Sequence, residues 1–255
     1  MSGISRYTRI LTLFQETQPE WTIQGLSNAL GTSASTLYRL VRELVKAGML
    51  ESTVDARYRL GPFFIEYYRR LQFCDPFIRS GSALLKPMIN QINLPCSVIL
   101  ARLYGEHVMC VAQANSAGMT FQTSYEIGRP MPICCGATSK TVLSTLPPKQ
   151  VKRFLLRHSD VLTQERQDLE LELAGIRKRG TCETSGEVDR ELVGIAAPVH
   201  HAAQGIFASI SVVLHRNNIN AQNRPMLHTI ISTTGKILEN FLTTENEAHA
   251  DIATR

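Results

Sequence analysis

Two groups of side chains in this 255-residue chain have the types and spacing to do chemistry. The first is a run of hydroxyls and guanidinium groups: Ser33, Ser35, Thr36, Tyr38, Arg39 and Arg42. Hydroxyls and N–H groups at the start of a helix bind phosphate oxygens, and an arginine behind them can hold a phosphate or take a guanine edge with two hydrogen bonds. The second group consists of doublets, Cys134-Cys135, His200-His201 and Ser139-Lys140. Zinc ligands usually come as C-x2-4-C or H-x3-5-H, and adjacent residues on a strand or turn point to opposite faces, so neither doublet easily offers both side chains to one metal. A cysteine nucleophile needs a base and an orienting partner, and nothing in the spacing brings His200 or His201 to Cys135. The two histidines precede Gly205 in what reads as an exposed hairpin turn, and Lys140 reads as the solvated side of a helix. There is no G-x-S-x-G, P-loop or G-x-G-x-x-G. The expectation is therefore DNA contact, with no catalytic residue, metal or cofactor.

The elements that must position the first group span Thr22 to Gly48. Apolar Ile23, Leu26, Ala29 and Leu30, then Leu37, Leu40, Val41 and Leu44, repeat at helical spacing. Gly31 suits the end of the first helix and Thr32 or Ser33 the cap of the second. With the second stripe turned inward, Ser35, Thr36, Tyr38, Arg39, Arg42, Glu43 and Lys46 face outward. Leu50 to Thr53 and Arg57 to Leu60 read as a β-hairpin wing carrying Arg57 and Arg59 on one side. Tyr7, Ile10, Leu11 and Phe14 supply a third helix beneath. The unit is a winged helix-turn-helix of about 60 residues, a size that folds marginally but independently.

Composition permits this reading without demanding it. The net charge is +5, and residues 1–60 hold seven basic against five acidic side chains. Binding must then come from placement rather than bulk charge. No apolar run approaches the roughly 18 residues that span a bilayer, and the polar start lacks a signal-peptide core, so the expected location is cytoplasmic. The six cysteines form no C-x-x-C pair, which suits reduced, mostly buried thiols.

Beyond the wing, Pro62 opens a linker helix whose Phe63, Phe64, Tyr67, Tyr68 and Leu71 cover more than one face. It packs either on a second copy of the chain or on its own second domain. Asp75-Pro76 starts that domain. A helix over Phe77–Ile92 is followed by a hairpin of Ser97–Leu103 and His107–Ala114, a further strand over Met119–Ser124, and a sharp turn over Gly128–Pro132. Helices follow from Gly136 to Leu146, over Pro148–Arg157, and over Gln164–Lys178 with Thr163 as cap. Strands at Cys182–Glu187, Val193–Val199 and Gly205–Leu214 precede a closing helix over Gln222–Leu242. The fold class is α+β, an antiparallel sheet flanked by helices, with domains at 1–61, 62–75 as linker helix and 76–245, and a frayed tail at 246–255.

With both halves in view, the chain resembles the IclR family of bacterial transcriptional regulators. Ser35-Thr36-Leu37-Tyr38-Arg39-Leu40-Val41, with Leu44 and Gly48, is similar to the family's recognition-helix core, and Tyr58-Arg59-Leu60-Gly61 to its Y-x-L-G wing exit. Gly128, Pro132 and Gly136–Leu143 stand where the family has a glycine, a proline and a small-residue helix start. Arg179-Gly180, Glu187 and Gly194-Ile195-Ala196-Ala197-Pro198-Val199 are similar to its later signature. The resemblance implies a GAF-like effector-binding C-terminal domain and a dimer or dimer of dimers on double-stranded operator DNA. The effector it implies is a small organic acid or aromatic metabolite. It also implies effector contacts at the amides of Ala137 and Thr138 and at strand positions Thr184, Gly194, Ser211 and Val213. Ile133, Cys134 and Cys135 immediately precede that helix start and could line the same cavity.

Four positions depart from the members that bind small oxo-acids. Thr184, Gly194 and Val213 replace Asp, Cys and Ser, and Ser139 replaces a glycine before Lys140. Fewer polar groups beside the same amides suit a larger, carboxylated ligand. Two other functions remain open on sequence alone: a small-molecule enzyme with an accessory winged helix, and a constitutive DNA-binding protein whose second domain only oligomerises.

Overall fold

Apolar spacing decides which faces the N-terminal helices bury. In the computed structural model, which describes residues 3–131, 133–157 and 166–253, α1 (Gly3–Leu11), α2 (Ile23–Leu30) and α3 (Ala34–Lys46) come first. They close Ile10, Leu26, Leu37, Leu40, Val41 and Leu44 into one core with Phe14 and Leu50. Ala29, expected on the inner stripe, is exposed. Thr22 caps α2 by accepting from the Gly25 amide, and Gly31 ends it at φ 60°, the left-handed region that suits glycine. The wing is β2 (Leu50–Ser52) and β3 (Arg57–Leu60). The short β1 (Trp21–Thr22), not predicted from the sequence, pairs on the other side of β3. After it, α4 (Phe63–Cys74) has no buried residue, and Phe64, Ile65, Tyr67, Tyr68, Leu71 and Phe73 are exposed.

Met1–Cys74 and Asp75–Arg255 are separate compact units. In the second, α5 (Pro76–Ile92) starts on Asp75, whose carboxylate accepts from the Ile78 amide. The strands are β4 (Cys96–Tyr104), β5 (His107–Asn115), β6 (Pro130–Met131), β7 (Cys182–Ser185), β8 (Leu192–His201) and β9 (Ile206–His215). They form one antiparallel sheet in the order β6-β5-β4-β9-β8-β7. Alternation along β9 sends Ile210 and Val212 to a core with α5 and α9 (Arg224–Ala253), where Phe77, Met88, Leu227, Ile231 and Leu238 lie. Val213 goes to the opposite core, built with α6 (Gly136–Ser144), α7 (Pro148–Arg157) and α8 (Arg166–Arg179) around Leu143, Leu155, Leu169 and Ile176.

Several expectations are corrected. Met119–Ser124 is not a strand; the Ser124 amide and the Thr123 and Ser124 hydroxyls bond to the Asp189 carboxylate, where a strand would pair with a neighbour. His200 and His201 are the last residues of β8, because its register with β9 runs on to His201 opposite Ile206. Lys140 is buried, since α6 lies between sheet and α8 with all nine of its residues buried and has no solvated side. Residues 243–253, expected to fray in part, continue α9 as helix, consistent with a sequence free of Gly and Pro there. Pro130 and Met131 form β6 inside the segment expected to be irregular. Pro132 and the proposed cap Thr163 lie outside the described residues. Among the described residues, no helix is long and apolar enough to cross a membrane.

Candidate DNA interface and effector pocket

The exposed face of α3 carries Ser35, Tyr38, Arg39 and Arg42, with Thr36 half-buried at its edge. Ser33 stands at the N-cap but makes no cap bond; its hydroxyl donates to Thr36 Oγ1 at 2.9 Å, leaving the first amides of α3 without a side-chain cap. Glu43, on the same face, accepts a hydrogen bond from the Tyr7 hydroxyl, which ties α1 to α3. On the wing, Arg57 and Arg59 are both exposed. Arg59 lies directly opposite Glu51 and pairs with it at 2.5 Å. That pair screens one of the two wing charges. The turn between the strands is tight, with Asp55 and Ala56 both at positive φ.

In the second unit, the proposed effector residues divide into two sets. Thr184, Gly194 and Val213 occupy one rung across β7, β8 and β9. Ala137, at the start of α6, faces that rung, and the four line a cavity together with Tyr125, Gly136, Glu187, Val188 and Asp189. Thr138 and Ser211 lie beside it, bonded to each other through their hydroxyls at 3.0 Å. Ser209 completes the clamp by donating to the Thr138 carbonyl. Ile133 is part of the core on this face, and the Cys135 thiol donates to the Glu187 carbonyl at 2.9 Å. Ser139 is buried with its hydroxyl unpartnered among the described residues.

Of the two amides expected to meet an anion, those of Ala137 and Thr138, the first is already engaged, and so is the Gly136 amide before it. The Gly136 amide donates to Glu187 Oε2 at 2.8 Å and the Ala137 amide to Thr184 Oγ1 at 2.9 Å. Glu187 also accepts from Lys140 Nζ at 2.9 Å, and Glu172 on α8 takes the same ammonium at 2.9 Å. Burial pulls the Lys140 pKa down, but the hydrogen bonds and charges of Glu187 and Glu172 outweigh it and the net shift is upward. The cavity is correspondingly small, about 20 Å³, room for about one water. On the outer side of Tyr125 and Asp189 lies an open polar groove of about 710 Å³, lined also by Gln113, Phe121 and Arg129.

The cysteine doublet does not assemble a nucleophile. Burial pushes the Cys134 thiol up to about 11, with Cys135 adding to it. Burial also raises Cys135, with Glu187 adding to the effect. Both shifts run opposite to what a reactive thiolate requires. Sequence reasoning missed Tyr125 and Asp189 as site residues and took Glu187 only as a signature position. A single tyrosine in an aperiodic loop gives no pattern to find, and Asp189 acquires its partners only when distant loops meet.

Residues 3–53 match the family model of the IclR helix-turn-helix domain, and residues 83–239 match that of the bacterial transcriptional regulator IclR C-terminal region. The chain belongs to the IclR family. It is a transcriptional regulator rather than an enzyme, and DNA is the partner of its winged helix. Among IclR-like relatives, the HTH-type transcriptional regulator KipR of Bacillus subtilis (strain 168) is 21% identical over 209 residues, 80% of this chain and 82% of KipR. An IclR transcriptional regulator from Alicyclobacillus acidocaldarius has a similar structure, with a TM-score of 0.77 at 17% identity over 93% of this chain and 97% of that one. An IclR homolog from Microbacterium hydrocarbonoxydans, solved in complex with 4-hydroxybenzoate, gives a TM-score of 0.74 at 18% identity over 95% and 100% of the two chains. At these identities the structures establish a shared fold.

Proposed function

We propose that this IclR-family chain is a cytoplasmic, effector-controlled regulator of a catabolic or metabolic operon. It binds a pseudo-palindromic operator as a dimer or dimer of dimers, the symmetry that places two recognition helices one DNA turn apart. Ser35, Thr36, Tyr38 and Arg39 meet the groove, Arg42, Arg57 and Arg59 meet phosphates, and Ser33 at the start of the helix also contacts the DNA. The effector is a small carboxylated metabolite, aromatic acids included, taken up at Ile133, Cys135, Ala137, Thr138, Thr184, Gly194, Ser211 and Val213. The observation that carries this reading is the convergence of Ala137, Thr184, Gly194 and Val213 on one cavity at the start of a buried helix. The 4-hydroxybenzoate complex of the Microbacterium homolog adds support for an aromatic acid.

Replacing Arg39 with alanine is expected to weaken operator binding about tenfold to a hundredfold, the worth of one good bidentate base contact. Fluorescence anisotropy on the operator and on a scrambled duplex reads it. Equal affinity of mutant and wild type for the operator would remove Arg39 from the interface.

The effector half is tested by thermal shift against aromatic and aliphatic carboxylic acids. A ligand at 100 times its Kd adds about 2.7 kcal/mol. Gly194→Ala, whose Cβ would enter the cavity 3.4 Å from the Ala137 Cβ, should abolish the shift. The nearly closed cavity favours a second reading, a constitutive DNA-binding protein without effector. That reading prevails if no acid stabilises the wild type.

A further inference from the structure

The loop between β5 and β6 places Tyr125 in the effector site itself. Its side chain is 4% exposed and packs in the same core as Ile133, Ala137 and Val213. Its hydroxyl lies over the start of α6, where a Cβ built on Gly136 would sit 2.7 Å away. Tyr125 lines both the small inner cavity and the large outer groove, as Asp189 does, so the two residues form the partition between them.

One carboxylate holds that partition shut. Asp189, on the turn between β7 and β8, accepts from the Ser124 amide at 3.0 Å, the Ser124 hydroxyl at 2.5 Å and the Thr123 hydroxyl at 3.2 Å. The Thr123 hydroxyl in turn accepts from the Tyr125 amide at 3.2 Å. Residues 119–124 have no strand partner to hold them otherwise. Releasing Asp189 would remove three hydrogen bonds from the segment beside the ring, leaving it tethered at Gly128 by the Cys110 carbonyl, and the outer groove of about 710 Å³ has room to receive the ring.

We infer that Tyr125 is a resident occupant of the effector site, and that a single-ring phenolic compound binds by displacing it into the groove and seating its own hydroxyl where the tyrosine hydroxyl was. The inference rests on the effector reading above and specifies the ligand's orientation. At the inner end the Gly136 amide is already taken by the Glu187 carboxylate, so a second carboxylate there would meet like charge, which is unfavourable where water is excluded. A neutral hydroxyl would not.

The test uses the full chain labelled with 3-fluorotyrosine, titrated with phenol and with benzoate, and read by 19F NMR. The Tyr125 resonance is assigned by its loss in Tyr125→Phe, which keeps the ring. As phenol saturates, that resonance should move to the position of exposed tyrosines. Asp189→Ala, which opens the latch and raises the binding-competent fraction, should bind phenol about tenfold more tightly than wild type. Saturable phenol binding with an unmoved Tyr125 resonance would overturn the displacement and leave the effector reading standing. Benzoate binding as tightly as phenol, with the same displacement, would overturn the hydroxyl-inward orientation. Failure of both probes to bind wild type and Asp189→Ala would overturn the single-ring occupant, while stabilisation by some other acid in the thermal-shift panel would still preserve an effector site.

Discussion

Gly61→Ala is expected to cost the N-terminal unit about 3 kcal/mol, at the upper end of what overpacking a well-fitted site does. Gly61 is buried where the wing returns to the helices. Its amide donates to the Met49 carbonyl at 2.9 Å, and the Phe63 amide donates to the Gly48 carbonyl at 3.1 Å. A Cβ on Gly61 would stand 2.2 Å from the Gly48 carbonyl oxygen and 3.1 Å from the carbonyl carbon of Leu50. Both are backbone atoms and cannot rotate away. Relief requires parting the two strands of chain that hold the wing against α3. By contrast, a Cβ on Gly31 meets no neighbouring atom, so Gly31→Ala carries only the left-handed backbone cost, about 1 to 2 kcal/mol.

Trp21, the single tryptophan, lies on β1 against the wing, its indole N–H donating to the Leu13 carbonyl. Its fluorescence during urea unfolding therefore reports the N-terminal unit alone. A loss under 1 kcal/mol in Gly61→Ala would show that the wing junction yields, and operator binding should then survive as well.

Lys140→Met is expected to destabilise the C-terminal unit by about 3 kcal/mol. Lys140 is 3% exposed, and its ammonium is shared by Glu172 and Glu187. Removing one member of a buried ion pair leaves uncompensated charge, typically about 3 to 5 kcal/mol. The two carboxylates keep some contact with water, which places the cost at the lower end. Because Glu187 also holds the Gly136 amide, the loss should spread to the start of α6. Differential scanning calorimetry of the full chain measures it.

The same triad sets a pH dependence. The folded-state pKa of Lys140 lies above its ordinary value of 10.5. Such a group contributes stability that is complete below the unfolded pKa and is lost as the pH rises through the folded pKa. Wild type should therefore lose stability above about pH 10.5, and Lys140→Met should lose less over the same window. Parallel losses in both proteins would assign the alkaline instability to other groups.

The winged helix was legible because its signals are local. Stripe spacing in α2 and α3, a left-handed glycine at Gly31 and a hairpin at the wing each lie within a few residues of the structure they specify. The strands of the second unit were legible for the same reason, apart from Met119–Ser124. There strand-like residues end in a loop because Asp189, some 65 residues on, supplies the bonds a neighbouring strand would have given. Residue order could place Thr184, Gly194 and Val213 on strands only by resemblance to relatives, while sheet register puts them on one rung.

The sequence by itself determined the family, the helix-turn-helix, the outward residues of α3 and an antiparallel α+β second unit, since period and turn chemistry are properties of the chain. Tertiary structure alone decided that Lys140 is buried, that Glu187 and Thr184 occupy the first two amides of α6, and that Tyr125 lines the small cavity beside them. Those depend on which surfaces meet across 40 to 60 residues of chain, and no local periodicity encodes such a meeting.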